Sequence, residues 1–414
     1  MLKFARNIFV GIFAIILCAV AFTYAYDRVL TSTSGEEKGG VDSYLESRAY
    51  QEFPEVTKDT LSEGTFQSDY EQYVSDMVPF RDEILVANAT LQRQSIALGA
   101  DMFGYDVYPT FYGSDRAYDK SLDIVNEMPY RQTVDYTESL EKSAEWINGF
   151  AERHPDLSVT VSYPPRYSVS AANPVSELIP DPIDAEYMDE HFLNKLNDRV
   201  NAFNVEEEIT PDFTEDYFKT DHHWQATYSY EVYKYVLSRM YPEATPVVVQ
   251  DVITWDEQPF YGSNARKGLC LQPGTDIVND VVYEESDVKV IIDGETSGLG
   301  AVRHIDEFES DDTIRDVYSS KYMEYFHVNS PTMTLVNEDM SEGKTLLLIG
   351  DSYSNSTERF YAENYKTVYV IDPRSYRGTL DSFCEKRNID DVLMFVNAGV
   401  ILEDGMGDFL SADK

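Results

Sequence analysis

Leu346–Ser354 reads LLLIGDSYS. An apolar run closed by Gly-Asp-Ser describes a buried strand that delivers a serine to a turn. The run is too short and too uniformly apolar for a strand with one face in water. The following SNSTERFYAENY carries helical spacing, which places Ser352 at a strand-to-helix junction, where helix N-terminal amides would surround an oxyanion beside its hydroxyl. Ser352 is therefore a candidate nucleophile. A serine hydroxyl attacks poorly at neutral pH, so this role requires a base and a group that orients the base.

The histidines are few: His154, His191, His222, His223, His304 and His327. Only one pair is adjacent, in Thr220–Trp224, TDHHW. On extended or turning backbone alternate side chains share a face, so Asp221 and His223 make an acid–base pair and His222 points away. The alternative is that Asp221 caps the helix expected over WQATYSYEVYKYVLSRM, with the histidines decorating its first turn. No metal site is expected, because no Cys, Asp or Glu follows at ligand spacing. The downstream GDS favours the acid–base reading, since it completes the residue types of a Ser-His-Asp triad in two compact motifs.

TDHHW followed by GDSYSN resembles the DHHW proteins, a family related to the alginate and cellulose O-acetyltransferases of the SGNH-hydrolase superfamily. In that family Asp-x-His precedes the serine, and this chain keeps the order. Tyr73–Asp82, YVSDMVPFRD, is similar to an early family element, with Asp76, Pro79, Arg81 and Asp82 in place. Tyr369–Tyr376, YVIDPRSY, and Asp390–Asn397, DDVLMFVN, look like the family's strands after the nucleophile. The resemblance spans roughly Tyr70 to Val400 and is specific only at these islands.

The resemblance implies an SGNH-hydrolase-like α/β fold, a parallel sheet flanked by helices, with Ser352 as nucleophile, His223 as base and Asp221 as orienter. It further implies an acetyl-serine intermediate, no cofactor, transfer to a cell-surface polysaccharide, and an acetyl donor supplied by a multipass membrane acyltransferase. A carbohydrate acetylesterase would use the same triad. A noncatalytic polysaccharide-binding or assembly protein on a hydrolase scaffold is the reading from another class. Phe260–Arg266, FYGSNAR, resembles a family segment near the active site, which makes Gly262 and Asn264 candidate oxyanion donors; its Tyr-Gly-Ser-Asn tetrapeptide is also an ordinary turn. Tyr353, Arg374 and Tyr376 are candidate substrate contacts. The last two follow the strand VYVID, at the same strand edge as Ser352. Arg374 equally suits a pair with Asp372 or Asp351.

Outward from these motifs, helical spacing covers Leu61–Gln94, Thr133–Arg153 and Asp189–Val205, with a short strand at Leu157–Tyr163. Residues 242–328 read as a β-rich insertion, and Lys344–Asn397 alternates strand and helix as parallel βαβ units do. No P-loop or dinucleotide fingerprint is present. Residues 8–22 are apolar or glycine throughout, with Lys3 and Arg6 in front, and the apolar character reaches Tyr26. Residues 1–26 therefore read as a membrane anchor or signal segment, 27–60 as a linker, and 61–414 as the catalytic domain. The expected location is extracytoplasmic, anchored in the cell membrane by the N-terminal helix, or secreted if that segment is cleaved. A net charge of −41 repels nucleic acid. Beyond Cys18 in the apolar segment, Cys270 and Cys384 permit at most one disulfide.

Overall fold

The computed structural model describes residues 42–43, 48–78, 80–104, 107–108, 124–125, 135–174, 176, 183–218, 220–255, 260, 262–264, 269, 276–305, 321–327, 329–402 and 410. The expected anchor lies outside them, and most of the linker with it. Among the described residues no helix is long and apolar enough to cross a membrane. The chain forms two compact units, Met1–Gln94 and Ser95–Lys414.

The first unit contains α1 (Lys58–Glu63), α2 (Thr65–Asp76) and the start of α3 (Arg81–Phe103). The continuous helix expected over Leu61–Gln94 is broken at Gly64, whose φ of +81° ends α1, and again before Phe80, at φ +57°. The YVSDMVPFRD element is the corner between α2 and α3. Asp76 accepts the Gln51 amide at 2.9 Å, and Arg81 lies 3.3 Å from Asp82 and 3.8 Å from Asp76. These residues brace a helix corner.

The second unit runs through α4 (Thr137–Arg153), β1 (Ser158–Tyr163), α5 (Ala185–His191), β2 (Val200–Asn204), α6 (Ala226–Met240), β3 (Val249–Trp255), β4 (Val278–Tyr283), β5 (Val288–Ile292) and β6 (Glu295–Ser297). It continues with α7 (Lys321–Tyr325), β7 (Thr332–Asn337), β8 (Thr345–Gly350), α8 (Glu358–Ala362), β9 (Thr367–Ile371), α9 (Leu380–Glu385) and β10 (Asp391–Phe395). The main sheet has the order β6-β5-β7-β9-β8-β10-β1-β2. From β9 to β2 all neighbours are parallel. Leu346 and Leu348 of β8 pack with Val232, Val236 and Leu237 of α6, while Leu347 and Ile349 pack with Leu140, Ile147 and Phe150 of α4. Burial on both faces is why this strand carries no polar alternation.

The sheet is mixed where the sequence suggested a parallel one, because β5, β6 and β7 join its edge antiparallel. Asp293 and Gly294 account for the outermost pair: both have positive φ, +51° and +84°, the backbone of a tight hairpin turn joining β5 to β6. Of the β-rich stretch within 242–328, β3 and β4 form a separate two-stranded sheet, while β5 and β6 extend the main one. The helix expected over Asp189–Val205 ends at His191. Beyond it the Asn197 side chain accepts the Arg199 amide in a local turn, and β2 pairs with β1 instead.

The helix expected directly after Ser352 begins only at Glu358. Between them the polar side chains bond their own backbone: Ser354 Oγ donates to the Asp351 carbonyl at 2.8 Å, and Thr357 Oγ1 to the Ser354 carbonyl at 2.8 Å. Such local bonds favour tight turns over helix. The chain leaves β8 through α8 to β9 on one side, then returns through α9 to β10 on the other. Ser352 thus sits where two crossovers diverge, the position at which open α/β sheets form a crevice.

The nucleophile-side helix is fastened by a buried ion pair. Arg359 of α8 forks onto Asp280 of β4, with one bond of 2.8 Å and a second, shorter one, and the Tyr325 hydroxyl donates to the same carboxylate. Removing Arg359 leaves the buried Asp280 carboxylate only Arg303, 3.5 Å away, as a cation among the described residues, so Arg359→Met is expected to cost about 3 kcal/mol in urea denaturation, the low end for breaking a buried pair. A loss below about 1 kcal/mol would show that the pair does not hold α8.

Candidate active site

TDHHW lies on irregular backbone ahead of α6, and the helix is capped at Gln225 rather than at Asp221. Asp221 and His223 are both buried. Asp221 Oδ1 is 2.5 Å from His223 Nδ1, and it also accepts the His223 amide at 3.1 Å. Asp221 Oδ2 accepts the Ser263 amide at 2.6 Å. His223 Nε2 is 2.7 Å from Ser352 Oγ, across 129 residues of sequence. Within its turn Ser352 is half-buried, while Asp351 and Tyr353 on either side are buried.

Burial works against the Asp221 charge. The imidazoles of His223 and His222 and the bonds from His223 and the Ser263 amide outweigh it, holding the carboxyl well below the usual carboxylate range. An ionised Asp221 accepts a hydrogen bond from His223 Nδ1–H, which leaves Nε2 as the acceptor for the Ser352 hydroxyl. The arrangement can therefore draw a proton from Ser352 while the carboxylate steadies the imidazolium.

Gly262 closes against this centre. A Cβ there would stand 2.3 Å from Asp221 Cβ and 2.4 Å from the Thr220 carbonyl, so only glycine fits. Its amide donates to Thr220 Oγ1 at 2.9 Å, and the Asn264 amide to the Thr220 carbonyl at 3.0 Å. The Gly262 amide, expected as an oxyanion donor, is thus spent on the turn that carries Asp221. Buried Asp276 accepts the Thr220 amide at 2.8 Å and also its hydroxyl.

Tyr353, expected at the substrate, is buried instead. Its amide donates to Asp351 Oδ1 at 2.9 Å and its hydroxyl to the His222 carbonyl, so it fastens the serine turn to the histidine turn. Arg374 forks onto Asp372, at 3.0 Å and 2.7 Å, the pairing the sequence left open. Tyr376 packs edge-on against Phe383, with ring centres 6.0 Å apart. Both follow β9, which is parallel to β8, and so lie at the same carboxyl edge as Ser352. His222 does not point away: its Nδ1 is 2.8 Å from Ser263 Oγ and 3.4 Å from Asp221 Oδ1. The donor atoms of Asp221, His222 and His223 lie within 4.8 Å of one another, yet both His223 nitrogens are already engaged by Asp221 and Ser352.

Several residues at the site carried no sequence signal. Tyr322 of α7 stacks on His223, Asp276 anchors Thr220, and Glu206 lies beneath Trp224. Their partners are distant in sequence, so no local spacing marks them. Glu206 accepts Ser170 Oγ at 2.6 Å, Trp224 Nε1 at 3.1 Å and the Tyr217 hydroxyl.

Burial pushes the Glu206 carboxyl up from 4.5 to about 7, against the opposing effect of those donors. A carboxyl raised on folding favours the native state while protonated, so its contribution is complete below pH 4.5 and is lost as pH rises through 7. Between those limits and pH 8 the wild-type protein is expected to lose on the order of 3 kcal/mol more stability than Glu206→Gln. Identical pH profiles in denaturant titrations would show that Glu206 ionises as freely folded as unfolded.

No protein-family model matches the sequence, and no curated protein matches it. Solved structures do match. Bacillus cereus PatB1 superposes with a TM-score of 0.54 at 17% identity, covering 73% of this chain and 99% of that one. PatB1 with a sulfonyl adduct gives 0.53 at 17% identity, over 74% and 99%. A DHHW family protein from Eubacterium siraeum DSM 15702 gives 0.51 at 15% identity, covering 73% of this chain and 96% of that one. The fold is therefore one that this chain shares with a DHHW family protein, as the TDHHW and GDSYSN motifs suggested.

Proposed function

We propose that the protein is an SGNH-like O-acyltransferase that acetylates a cell-envelope polysaccharide through an acetyl-serine intermediate. The observation that carries this reading is the unbroken relay from Asp221 through His223 to Ser352, at the carboxyl edge of parallel strands. Ser352 Oγ attacks the carbonyl carbon of an acetyl ester or thioester as its proton passes to His223 Nε2. The tetrahedral intermediate collapses, the leaving group takes that proton, and acetyl-Ser352 remains. His223 next takes the proton of a sugar hydroxyl, whose oxygen attacks the acetyl carbon; the Ser352 oxygen leaves and is reprotonated. With the Gly262 and Asn264 backbone amides committed to Thr220, the candidate oxyanion donors are the Ser352 amide and the side-chain amide of buried Asn264.

The apolar segment of residues 8–22 supports a location outside the membrane with an N-terminal anchor, facing an acetyl donor delivered by a membrane acyltransferase. Arg374 and Tyr376, at the same carboxyl edge as Ser352, are the candidate acceptor contacts, and reaching a sugar would require Arg374 to share its guanidinium with Asp372. Water and sugar compete for the same acyl-enzyme, and positioning of the acceptor decides between transfer and hydrolysis.

In the full-length protein, Ser352→Ala and His223→Ala are each expected to remove nearly all turnover of an activated acetyl ester, and the double variant to be no worse than the worse single one. His222→Ala is expected to retain substantial activity. Equal losses at His222 and His223 would mean that the imidazoles act as a unit, and chelator sensitivity would then test a shared ion. With envelope oligosaccharides as acceptors, mass spectrometry is expected to find acetylated sugar in excess of free acetate. Acetate alone across a broad acceptor panel, with efficient stripping of acetylated glycans, would make the protein an esterase.

A further inference from the structure

Tyr322 touches both halves of the relay. Its ring lies on the His223 imidazole, with centres 3.7 Å apart and planes 6° from parallel. Its hydroxyl donates to the Ser352 carbonyl at 2.8 Å. The side chain is buried, and burial keeps the phenol protonated far above its ordinary range, so the hydroxyl stays a donor wherever the protein is folded.

We infer that Tyr322 is a positioning residue for acyl transfer, fixing the separation and angle between His223 and Ser352 and covering the imidazole on one face. The inference rests on the acyl-transfer reading above. Other contacts on the imidazole leave it little room: His222 has its ring centre 3.9 Å away and Tyr353 5.0 Å away. Rotation of His223 about its ring bond would have to displace the stacked phenol, whose own position is fixed from behind. The Phe326 ring lies 4.8 Å from Tyr322 and the Phe218 ring meets it edge-on at 6.3 Å. One turn along α7, the Tyr325 hydroxyl donates to the Asp280 carboxylate that also receives Arg359. The phenol is thus a rigid spacer between two chain segments that share no secondary structure.

A second consequence concerns charge. Proton transfer from Ser352 turns His223 into an imidazolium, and the π face of Tyr322 lies directly against it, where a cation is attracted by the ring quadrupole. That attraction grows only as the proton moves, so it acts on the transition state more than on the bound ester. The ring therefore affects kcat and leaves KM alone. The hydroxyl acts separately, by holding the Ser352 carbonyl and with it the turn that aims Oγ.

The test uses the full-length protein with 4-nitrophenyl acetate as ester and phenylmethylsulfonyl fluoride as a trap for the serine, with rates expressed per folded molecule. Tyr322→Phe keeps the stacked ring and is expected to lose about two- to tenfold in kcat, the effect of one hydrogen bond. Tyr322→Leu removes both contacts and is expected to lose about 100-fold in kcat with KM nearly unchanged, and to slow sulfonylation in parallel. A Leu variant with wild-type kcat, or with its loss wholly in KM, overturns the inference. Should Tyr322→Leu fail to fold, a Phe variant equal to wild type in both kcat and sulfonylation rate overturns it. Ser352→Ala is measured alongside: if it turns over ester normally, the acyl-transfer reading itself fails, a result distinct from any outcome at Tyr322.

Discussion

A carboxylate buried as deeply as Asp221 stays ionised only if donors replace the water it has lost. Two backbone amides and an imidazole do so: the amides of His223 and Ser263 and the Nδ1 of His223. Much of the surrounding architecture exists to deliver those donors. Gly262 permits the approach of the 262–264 segment, Thr220 ties that segment to the motif, and Asp276 ties Thr220 in turn. With Asp221 charged, His223 is held in the tautomer that presents a bare Nε2 to Ser352. The proposed chemistry depends on this single electrostatic condition.

The two halves of the relay come from turns 129 residues apart in the chain, so their meeting needs fasteners. One is Tyr353, whose amide serves the serine turn and whose hydroxyl serves the histidine turn. Another is Asp351, which accepts the Tyr353 amide at 2.9 Å and the Asn397 amide at 2.8 Å, binding the serine turn to the end of β10. Tyr322 is a third. Beneath them, Glu206 holds Trp224, and the Arg359–Asp280 pair holds α8 against β4. Ordinary aromatic packing explains most of the tyrosine-rich composition around this centre, since Tyr217, Tyr228 and Tyr353 all meet Trp224 edge-on.

The parallel half of the sheet was legible because β8, β9 and β10 are apolar runs separated by short helical spacers, and burial on both faces leaves that imprint. The pairing of Asp221 with His223 was legible for a similar reason, since two positions on irregular backbone bring side chains together. What escaped was everything decided by distant contact. The Asp189–Val205 stretch contains helix-compatible residues, yet the open edge of β1 claims Val200–Asn204 as a strand. SNSTERFYAENY reads as helical by spacing, but the hydroxyls of Ser354 and Thr357 bond backbone and hold its start in turns until Glu358. Tyr353 was a candidate substrate contact. Its hydroxyl reaches the His222 carbonyl instead, which buries the ring between the serine and histidine turns. Tyr322 belongs to a stretch with no chemical signature, and only the fold brings its ring to His223.

The central claim is that Ser352 carries the acyl group. Incubating the full-length protein with an activated acetyl ester, quenching in acid and mapping peptides by mass spectrometry tests it directly. The account predicts a mass increase of about 42 Da, one acetyl group, on the peptide containing Ser352, absent when His223 is replaced by Ala and discharged on adding an acceptor oligosaccharide. Acetylation confined to other residues, or label on Ser352 that persists without His223, would contradict it.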